Sequence, residues 1–364
     1  MQSTLAMTGK KISVGVVNQN GARYLERTLQ GLGVLGEMVD DILLVDNAST
    51  DDGVALVRSR FRRVRVIELP VNRGPGAARN AALREARHDR VLLIDNDARP
   101  EPGCVEPLST ALDDHPRSIM AMAAVFSEAA PDLVQYAGAE PHVLGSAVLL
   151  YAGATHATLP GDVRVVGSAV TCCVLADRSR FGDGAQPWFD ESLFLYLEDH
   201  ELGLRAALQG YDLLVVPQAR CRHDVGTIGV SIRETGRFTP TRVRYTIRNR
   251  WVVLLMLYQI RTLLRFAPAL ASFEAAQLIG AIGKGWLGHW TWAVVSTARL
   301  LPHIVHKRRA LGRLRRRSDL EVLVGGPFPY NPAMHSGGLE RAGRLALDVI
   351  TRINWRLAGG RKFP

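Results

Sequence analysis

Two acidic clusters in the sequence are of the kind that binds a divalent metal or moves a proton. The first, Asp95-Asn96-Asp97, directly follows the apolar run Val91–Ile94. Two carboxylates this close are costly to keep charged at the end of a buried segment unless a cation lies between them. A hard ion such as Mg2+ or Mn2+ takes oxygen ligands of this type together with substrate phosphates. Taken alone, the cluster is weak evidence for a metal, and a solvated acidic turn is the more common explanation.

The second cluster is Glu198-Asp199-His200-Glu201, at the start of a segment with helical spacing. Acidic residues are common in a first helical turn because they favour the positive end of the helix dipole. That role would account for Glu198 or Asp199 alone, but less well for four acidic or imidazole groups in succession. A carboxylate placed here could remove a proton from a substrate hydroxyl.

The elements that must position these groups alternate between strand and helix. Apolar runs predict strands and helical spacing predicts helices, with short polar connections between them. This order predicts βαβ units, and therefore a mostly parallel sheet covered by helices. Ligands of such sheets bind outside the carboxyl ends of the strands. The polar residues at the carboxyl ends of the predicted strands, called here the polar strand exits, should therefore meet at one edge of the sheet. They are Asn18, Asp46, Asn72 to Asn80, and Asp95 to Asp97.

The glycine-rich stretch from Asn72 to Asn80 does not match the nucleotide-binding loops of two common enzyme classes. The first strand is not followed by G-x-G-x-x-G, and no G-x-x-x-x-G-K-[S/T] occurs, so a Rossmann dehydrogenase and a P-loop enzyme are excluded. Gly74 and Gly76 are compatible with turn geometry alone. Arg73 and Arg79 are the candidates for phosphate recognition, because a guanidinium can donate two parallel hydrogen bonds to the oxygens of a phosphate.

The later part of this region is predicted to extend the sheet. Residues 133–169 read as antiparallel additions, Val170–Ala176 as a buried strand, and Leu213–Val216 as a last strand whose exit carries His223. A lone histidine is usually structural, and His223 gains interest only from that position. The four cysteines show neither metal-ligand spacing nor a disulfide framework, which indicates core residues and a reducing compartment.

Together, the motifs resemble the family-two inverting glycosyltransferases of the GT-A fold, most closely their bacterial rhamnosyltransferase-like branch. The resemblance covers about residues 11–235, and the matching segments occur in the family's order. They are ISVGVVNQN, DDILLVDNASTD, NRGPGAARN, LLIDNDARP, LYLEDHELGLR and the later His223. One departure is Val-Asn-Gln-Asn at the end of strand one, where relatives often have Pro-Thr-Tyr-Asn.

The resemblance implies a role for each polar exit. Asp46 and Asn18 would line the nucleobase pocket, Asp95 would reach the ribose or phosphate side, and Arg79 would face the diphosphate. Asp97 would coordinate the metal, with His223 as a further metal or diphosphate ligand. Asp199 would be the catalytic base, with Glu198 as the fallback.

The last third of the chain is strongly basic. Residues 1–240 carry a net charge of −6 and residues 241–364 a net charge of +16. Residues 236–330 are predicted to form a basic amphipathic helical region, in which His306 to Arg317 would suit anionic lipid headgroups. Residues 331–364 are predicted to be a tail. A helical subdomain with a solvated basic face is the alternative, and nucleic-acid binding lacks a reader motif.

These observations predict an inverting, metal-dependent glycosyltransferase bound peripherally to the cytoplasmic face of the cell membrane. The expected donor is dTDP-rhamnose or, second, a UDP-sugar, and the expected acceptor is a lipid-linked saccharide. Residues 1–10 are expected to be flexible and show no signal-peptide pattern. The alternatives are a non-catalytic carbohydrate- or membrane-binding module on the same fold and a sugar-phosphate nucleotidyltransferase.

Overall fold

The computed structural model describes residues 10–182, 187–224, 238–326, 328 and 338–359, and its centre is a ten-stranded sheet. The strands of the protein are β1 Ile12–Asn18, β2 Val39–Asp46, β3 Val64–Glu68, β4 Arg90–Asp95, β5 Ala98–Pro100, β6 Ser118–Ser127, β7 Val134–Tyr136, β8 Ala139–His142, β9 Ser146–Leu149, β10 Arg164–Val166, β11 Cys173–Asp177 and β12 Asp212–His223. The main order is β10-β12-β6-β11-β4-β1-β2-β3, with β5 paired to β12 and β7 to β6.

Six of these strands run in one direction. β3, β2, β1 and β4 pair in parallel, as do β6 and β12, whereas β11 is antiparallel to both β4 and β6. The predicted mostly parallel α/β sheet is therefore confirmed. The carboxyl ends of β1, β2, β4 and β12 meet at one edge, and this edge carries the polar strand exits.

Five helices cover the two faces of the sheet: α1 Ala22–Leu32, α2 Gly53–Arg60, α3 Pro75–Glu85, α4 Val105–Asp114 and α5 Glu198–Leu208. On β1, Ile12, Val14 and Val16 belong to one apolar cluster and Val17 to the other, as the alternation of a strand requires. Gly15 brings α3 close to the sheet, because a Cβ at this position would lie 2.6 Å from the Cβ of Ala82.

Seven further helices follow: α6 Pro240–Leu257, α7 Ile260–Arg265, α8 Ala267–Gly283, α9 Leu287–Arg299, α10 Leu301–Leu314, α11 Asp319–Val322 and α12 Gly338–Leu357. Val252, Val253 and Met256 of α6 share one apolar cluster with β6 and α5. Burying such side chains stabilises the fold by about 1.5–3 kcal/mol each. The helical region is thus packed into the same core as one face of the sheet.

The structure corrects three predictions about elements, and after the acidic turn it adds the short strand β5, which pairs antiparallel with the end of β12. The last strand is far longer than Leu213–Val216, because a register shift between Val216 and Arg220 carries it on to His223. Strands β8 and β9 form a separate two-stranded sheet instead of joining the main one. The predicted tail contains α12.

Part of the positive charge of the helical region is used inside the protein. Arg250 is buried and donates to the carbonyl oxygen of Leu144 at 2.6 Å and to Glu274 at 2.5 Å. Within the basic run 306–317, Arg315 donates to Asp319 at 2.6 Å and Arg317 to Asp212 at 2.7 Å. In the described parts of the chain, no helix combines the length and apolar character needed to cross a membrane.

Candidate active site

A buried hydrogen-bond network closes one side of the sheet edge. Asn18 and Asp46 end the paired strands β1 and β2 in register, and Nδ2 of Asn18 donates to Oδ1 of Asp46 at 2.7 Å. Asp46 also accepts from the hydroxyl and backbone N–H of Ser49 at 2.6 and 2.9 Å. Asn96 donates to Oδ1 of Asn18 at 2.8 Å, which ties this network to the Asp95-Asn96-Asp97 turn. The structure therefore brings Asn18 and Asp46 together, as predicted.

The acidic turn meets His223, which the sequence places 126 positions after Asp97. Nε2 of His223 lies 3.3 Å from Oδ1 of Asp97, and both side chains are buried. Nδ1 of His223 lies 3.0 Å from Oε1 of Gln135, and this contact fixes the orientation of the ring. Burial lowers the pKa of His223, but the neighbouring Cys172 and Asp97 outweigh this effect and raise the pKa to about 10.

Arg79 links the two acidic clusters. Its guanidinium donates to Asp95 at 2.6 Å and to Glu198 at 3.3 Å, and the side chain is buried. Although burial lowers it, these carboxylates raise the pKa of Arg79 above its ordinary value. Arg79 arises from α3 and Glu198 from the first turn of α5, so the strand exit and the second acidic cluster lie side by side.

The pair Glu198–Asp199 has two different environments. Glu198 is buried, and its Oε2 has no hydrogen-bond partner among the described residues, whereas Asp199 is half-buried. Burial raises the pKa of Glu198 to about 7; Asp199 adds to the rise and Arg79 opposes it. Burial raises the pKa of Asp199 too, again against the charge of Arg79. A carboxylate that is buried yet reachable is suited to accepting a proton.

Arg73 lies apart from these groups. Its guanidinium pairs with Glu191, and its side chain is 56% exposed. Glu191 also accepts from Asn80 of α3 at 3.1 Å. Among the predicted site residues, Arg73 is therefore the one whose side chain is exposed.

The chain resembles known glycosyltransferases. Residues 13–151 match the family model described as "Glycosyl transferase family 2". A relative in Mycobacterium tuberculosis, named N-acetylglucosaminyl-diphospho-decaprenol L-rhamnosyltransferase, is 28% identical over 242 residues, covering 58% of this chain and 75% of the relative. The chain is a glycosyltransferase, and its residues 13–151 match family 2. The predicted family and enzyme class are confirmed, and the relative's name agrees with the rhamnosyltransferase-like branch.

Solved structures support the GT-A fold of this glycosyltransferase. GalNAc-T7, crystallised with UDP, GalNAc and Mn2+, aligns with a TM-score of 0.57 at 14% identity, over 81% of this chain and 58% of that one. TarS residues 1–349 of S. aureus, crystallised with UDP-GlcNAc, aligns with a TM-score of 0.51 at 16% identity, over 96% and 92%.

The carboxylate and imidazole groups of the glycosyltransferase fit a divalent metal. Asp97 offers oxygen and His223 offers Nε2 on the side facing it, while Gln135 holds the opposite ring nitrogen. An outer partner of this kind is typical of a metal-binding histidine. The second acidic group, Asp95, lies at the same edge and brings the positive charge of Arg79 beside it.

The loop before α5 is held by residues that the sequence did not single out. Phe194, Tyr196 and Leu197 have φ angles of 61°, 64° and 64°, which non-glycine residues rarely adopt. Asn249 of α6 places its Nδ2 within 2.9 Å of the carbonyl oxygens of Leu193, Leu195 and Tyr196. The preceding residue, Arg248, donates to Leu193 at 2.6 Å and to Ser192 at 2.9 Å.

A glycine of the turn before α3 touches the same loop. Gly74 has φ of 85°, and a Cβ there would lie 1.7 Å from the carbonyl oxygen of Phe194. The signal for Arg248 and Asn249 is weak, because they lie among other arginines in the polar first half of α6. Gly74 carries a weaker signal, since a turn glycine alone does not reveal which backbone approaches it.

Proposed function

We propose that this enzyme is an inverting, metal-dependent transferase that moves a sugar, rhamnose as first choice, from a nucleotide-diphosphate donor to a lipid-linked or cell-envelope saccharide. The observation that carries the proposal is the Arg79 bridge between Asp95 and Glu198. This contact supports a single site, because it joins Asp95 of β4 to Glu198 of α5, the neighbour of the predicted base Asp199.

On the donor side, Asn18 and Asp46 would bind the nucleobase and Asp95 the ribose or phosphate side. Asp97 and His223 would hold Mg2+ or Mn2+, and the bound metal would neutralise charge on the diphosphate leaving group. Arg79 would add a fixed positive charge next to the same group without having to reorganise, which is the form of electrostatic catalysis that costs least during the reaction. Arg73 would reach the diphosphate only after leaving Glu191.

On the acceptor side, Asp199 would act as the base. Its carboxylate accepts the proton of the acceptor hydroxyl, whose oxygen forms a bond to the anomeric carbon as the bond to the diphosphate oxygen breaks. Attack from the face opposite the leaving group inverts that carbon. Asp199 suits this role better than Glu198, because Glu198 is buried against Arg79 and Asp199 is half-buried. Glu198 remains the fallback.

The acceptor and location rest on two supports. The Mycobacterium tuberculosis relative is named for a decaprenol-linked substrate, which favours a lipid-linked saccharide here. The C-terminal helices expose large apolar side chains, namely Ile260, Leu264, Ile279, Ile282, Leu287 and Leu357. Apolar faces bordered by arginine are typical of helices that lie in a membrane interface. We therefore place the enzyme peripherally at the cytoplasmic face of the membrane, on anionic lipid.

The test is release of nucleoside diphosphate from dTDP-rhamnose and from UDP-sugars, with Mn2+ and a polyprenyl-diphosphate saccharide. We expect acceptor-dependent release, a product with the anomeric configuration opposite to that of the donor, and loss of release with EDTA. Retention of the donor configuration would contradict inversion. A protein that binds the donors and releases no nucleoside diphosphate would instead be the non-catalytic module.

A further inference from the structure

Cys172 lies at the predicted metal site. It directly precedes β11, and its carbonyl oxygen accepts from the backbone N–H of Asp95 at 3.0 Å. Its side chain is 3% exposed. One possible ligand atom from each of Asp95, Cys172 and His223 lies within 4.8 Å of the other two. The sulfur is thus part of the polar site as well as of the apolar core behind it.

The other cysteines provide the contrast. All four cysteines are buried in the apolar cluster beside α4. Cys104 neighbours Cys173, whereas Cys172 neighbours both Cys221 and His223. A thiol that only filled the core would not need the imidazole of a metal-site histidine as its neighbour. Cys104 therefore serves as a matched buried cysteine away from His223.

We propose that Cys172 contributes a thiolate to the metal held by Asp97 and His223 beside Asp95, and that the site consequently favours Mn2+, Co2+ or Zn2+ over Mg2+. This inference rests on the proposed metal site. Zinc bonds of about 2.0–2.3 Å place two ligand atoms of a tetrahedral site about 3.5 Å apart. Small side-chain rotations would bring these ligand atoms, which lie within 4.8 Å of one another, to that span.

The chemistry of sulfur gives the expected selectivity. Mg2+ prefers six oxygen ligands in near-ideal octahedral geometry, whereas softer transition ions accept thiolate and imidazole. When the metal–sulfur bond forms, the S–H bond of Cys172 breaks and its proton passes to solvent. The step needs no oxidant or reductant, because sulfur keeps its oxidation state.

The experiment is titration of the full chain with Co2+, followed by absorption spectroscopy and by calorimetry. We expect a thiolate-to-cobalt charge-transfer band in the wild type and in Cys104→Ser, and no such band in Cys172→Ser or Cys172→Ala. The ratio of Mg2+ to Mn2+ dissociation constants should fall at least about tenfold in both Cys172 variants, the scale on which altered ligand shells change affinity.

The outcomes separate this inference from the proposed function. Cobalt binding to the wild type without the band, or with a band that persists in both Cys172 variants, overturns the role of Cys172 and leaves the metal site in place. Absence of any calorimetric Co2+ or Mn2+ binding to the wild type overturns both. Loss of binding in Asp97→Asn, together with loss of only the band in Cys172→Ser, supports both.

Discussion

Nδ2 of Asn249 lies 2.6 Å from the carbonyl oxygen of Tyr196. Tyr196 and the next residue, Leu197, both have φ of 64°, and conformations of this kind cost on the order of 1–3 kcal/mol each. Glu198 and Asp199 begin α5 immediately afterwards. A side chain of the C-terminal region therefore sets the backbone from which the proposed base projects.

Asn249→Ala is expected to lower kcat by about 10- to 100-fold while changing donor binding little, because the loop relaxes and Asp199 shifts from its working position. Loss of the buried amide group, which donates hydrogen bonds to the loop, should also cost about 1–3 kcal/mol of stability. Steady-state kinetics and urea unfolding measure the two effects. Asn354→Ala, on α12, is the matched control and should keep wild-type kcat. A wild-type kcat in Asn249→Ala would contradict the positioning role.

Gly74→Ala tests the contact between the turn before α3 and the loop before α5. Its Cβ would meet the carbonyl oxygen of Phe194, so we expect a severe loss of transfer activity and of thermal stability. Gly103 offers a close control, because its φ is 75° and nothing lies within 4 Å of an added Cβ. Gly103→Ala should cost only the left-handed backbone strain of about 1–2 kcal/mol. Equal effects at both positions would show that contact with Phe194 is irrelevant.

Asp97→Asn and Asp199→Asn should separate metal binding from proton transfer. Asp199→Asn should lower kcat by about 10²–10⁴-fold, the usual contribution of a general base, and leave donor and Mn2+ affinity unchanged. Asp97→Asn should weaken Mn2+ and donor binding, which calorimetry measures directly. Asp114→Asn, at an exposed position, is the control for amide substitution. Full activity in Asp199→Asn would assign the base to Glu198.

The pKa of Glu198, raised to about 7 mainly by burial, predicts a pH dependence of stability. The folded protein keeps this proton to higher pH than the unfolded chain, whose glutamate ionises near its ordinary value. The stabilisation is therefore present below about pH 4.5 and is lost as pH rises through about 7. Urea unfolding of wild type and Glu198→Gln at pH 5 and 8 should show a smaller pH difference in the variant. An unchanged difference would exclude Glu198 as the source.

Anionic vesicles test the proposed membrane surface. The protein should sediment with vesicles containing anionic phospholipid and less with neutral ones, and salt should weaken the binding. Arg309→Glu/Arg313→Glu, at exposed positions of α10, should reduce sedimentation without changing the unfolding temperature. The same reversal at exposed Arg84 of α3 is the control. Equal binding to neutral and anionic vesicles would contradict the role of these arginines.

The first half of the fold was predictable because its signals are local. Apolar runs such as Ile12–Val17 and Asp41–Val45 are bounded by turn residues, and the strands β1 and β2 cover them. The extent of β12 was not predictable from its apolar run, because Pro217 and Gln218 interrupt that run and the strand continues through pairing with β6 and β5.

The candidate site also contains residues that the sequence predicts and residues that it does not. Asp46, Asp95 and Asp97 follow strands, so the parallel sheet brings them to one edge. The positions of Asn249 and Cys172 depend on packing between segments far apart in sequence; Asn249 and Tyr196 are 53 positions apart. No periodicity in either segment encodes such a contact. The basic run 306–317 shows the converse, because composition indicated its charge and not the internal pairing of Arg315 and Arg317.

The hold of Asn249 on the loop before α5 bears on how related enzymes could exchange parts. A recombination junction near residue 235 would join the loop before α5 to an α6 helix from a different enzyme. The hybrid would then contain the proposed base but not the Asn249 side chain that positions its loop. A junction after Leu257 keeps loop and helix together. The smallest transplantable catalytic module of this chain thus extends through α6.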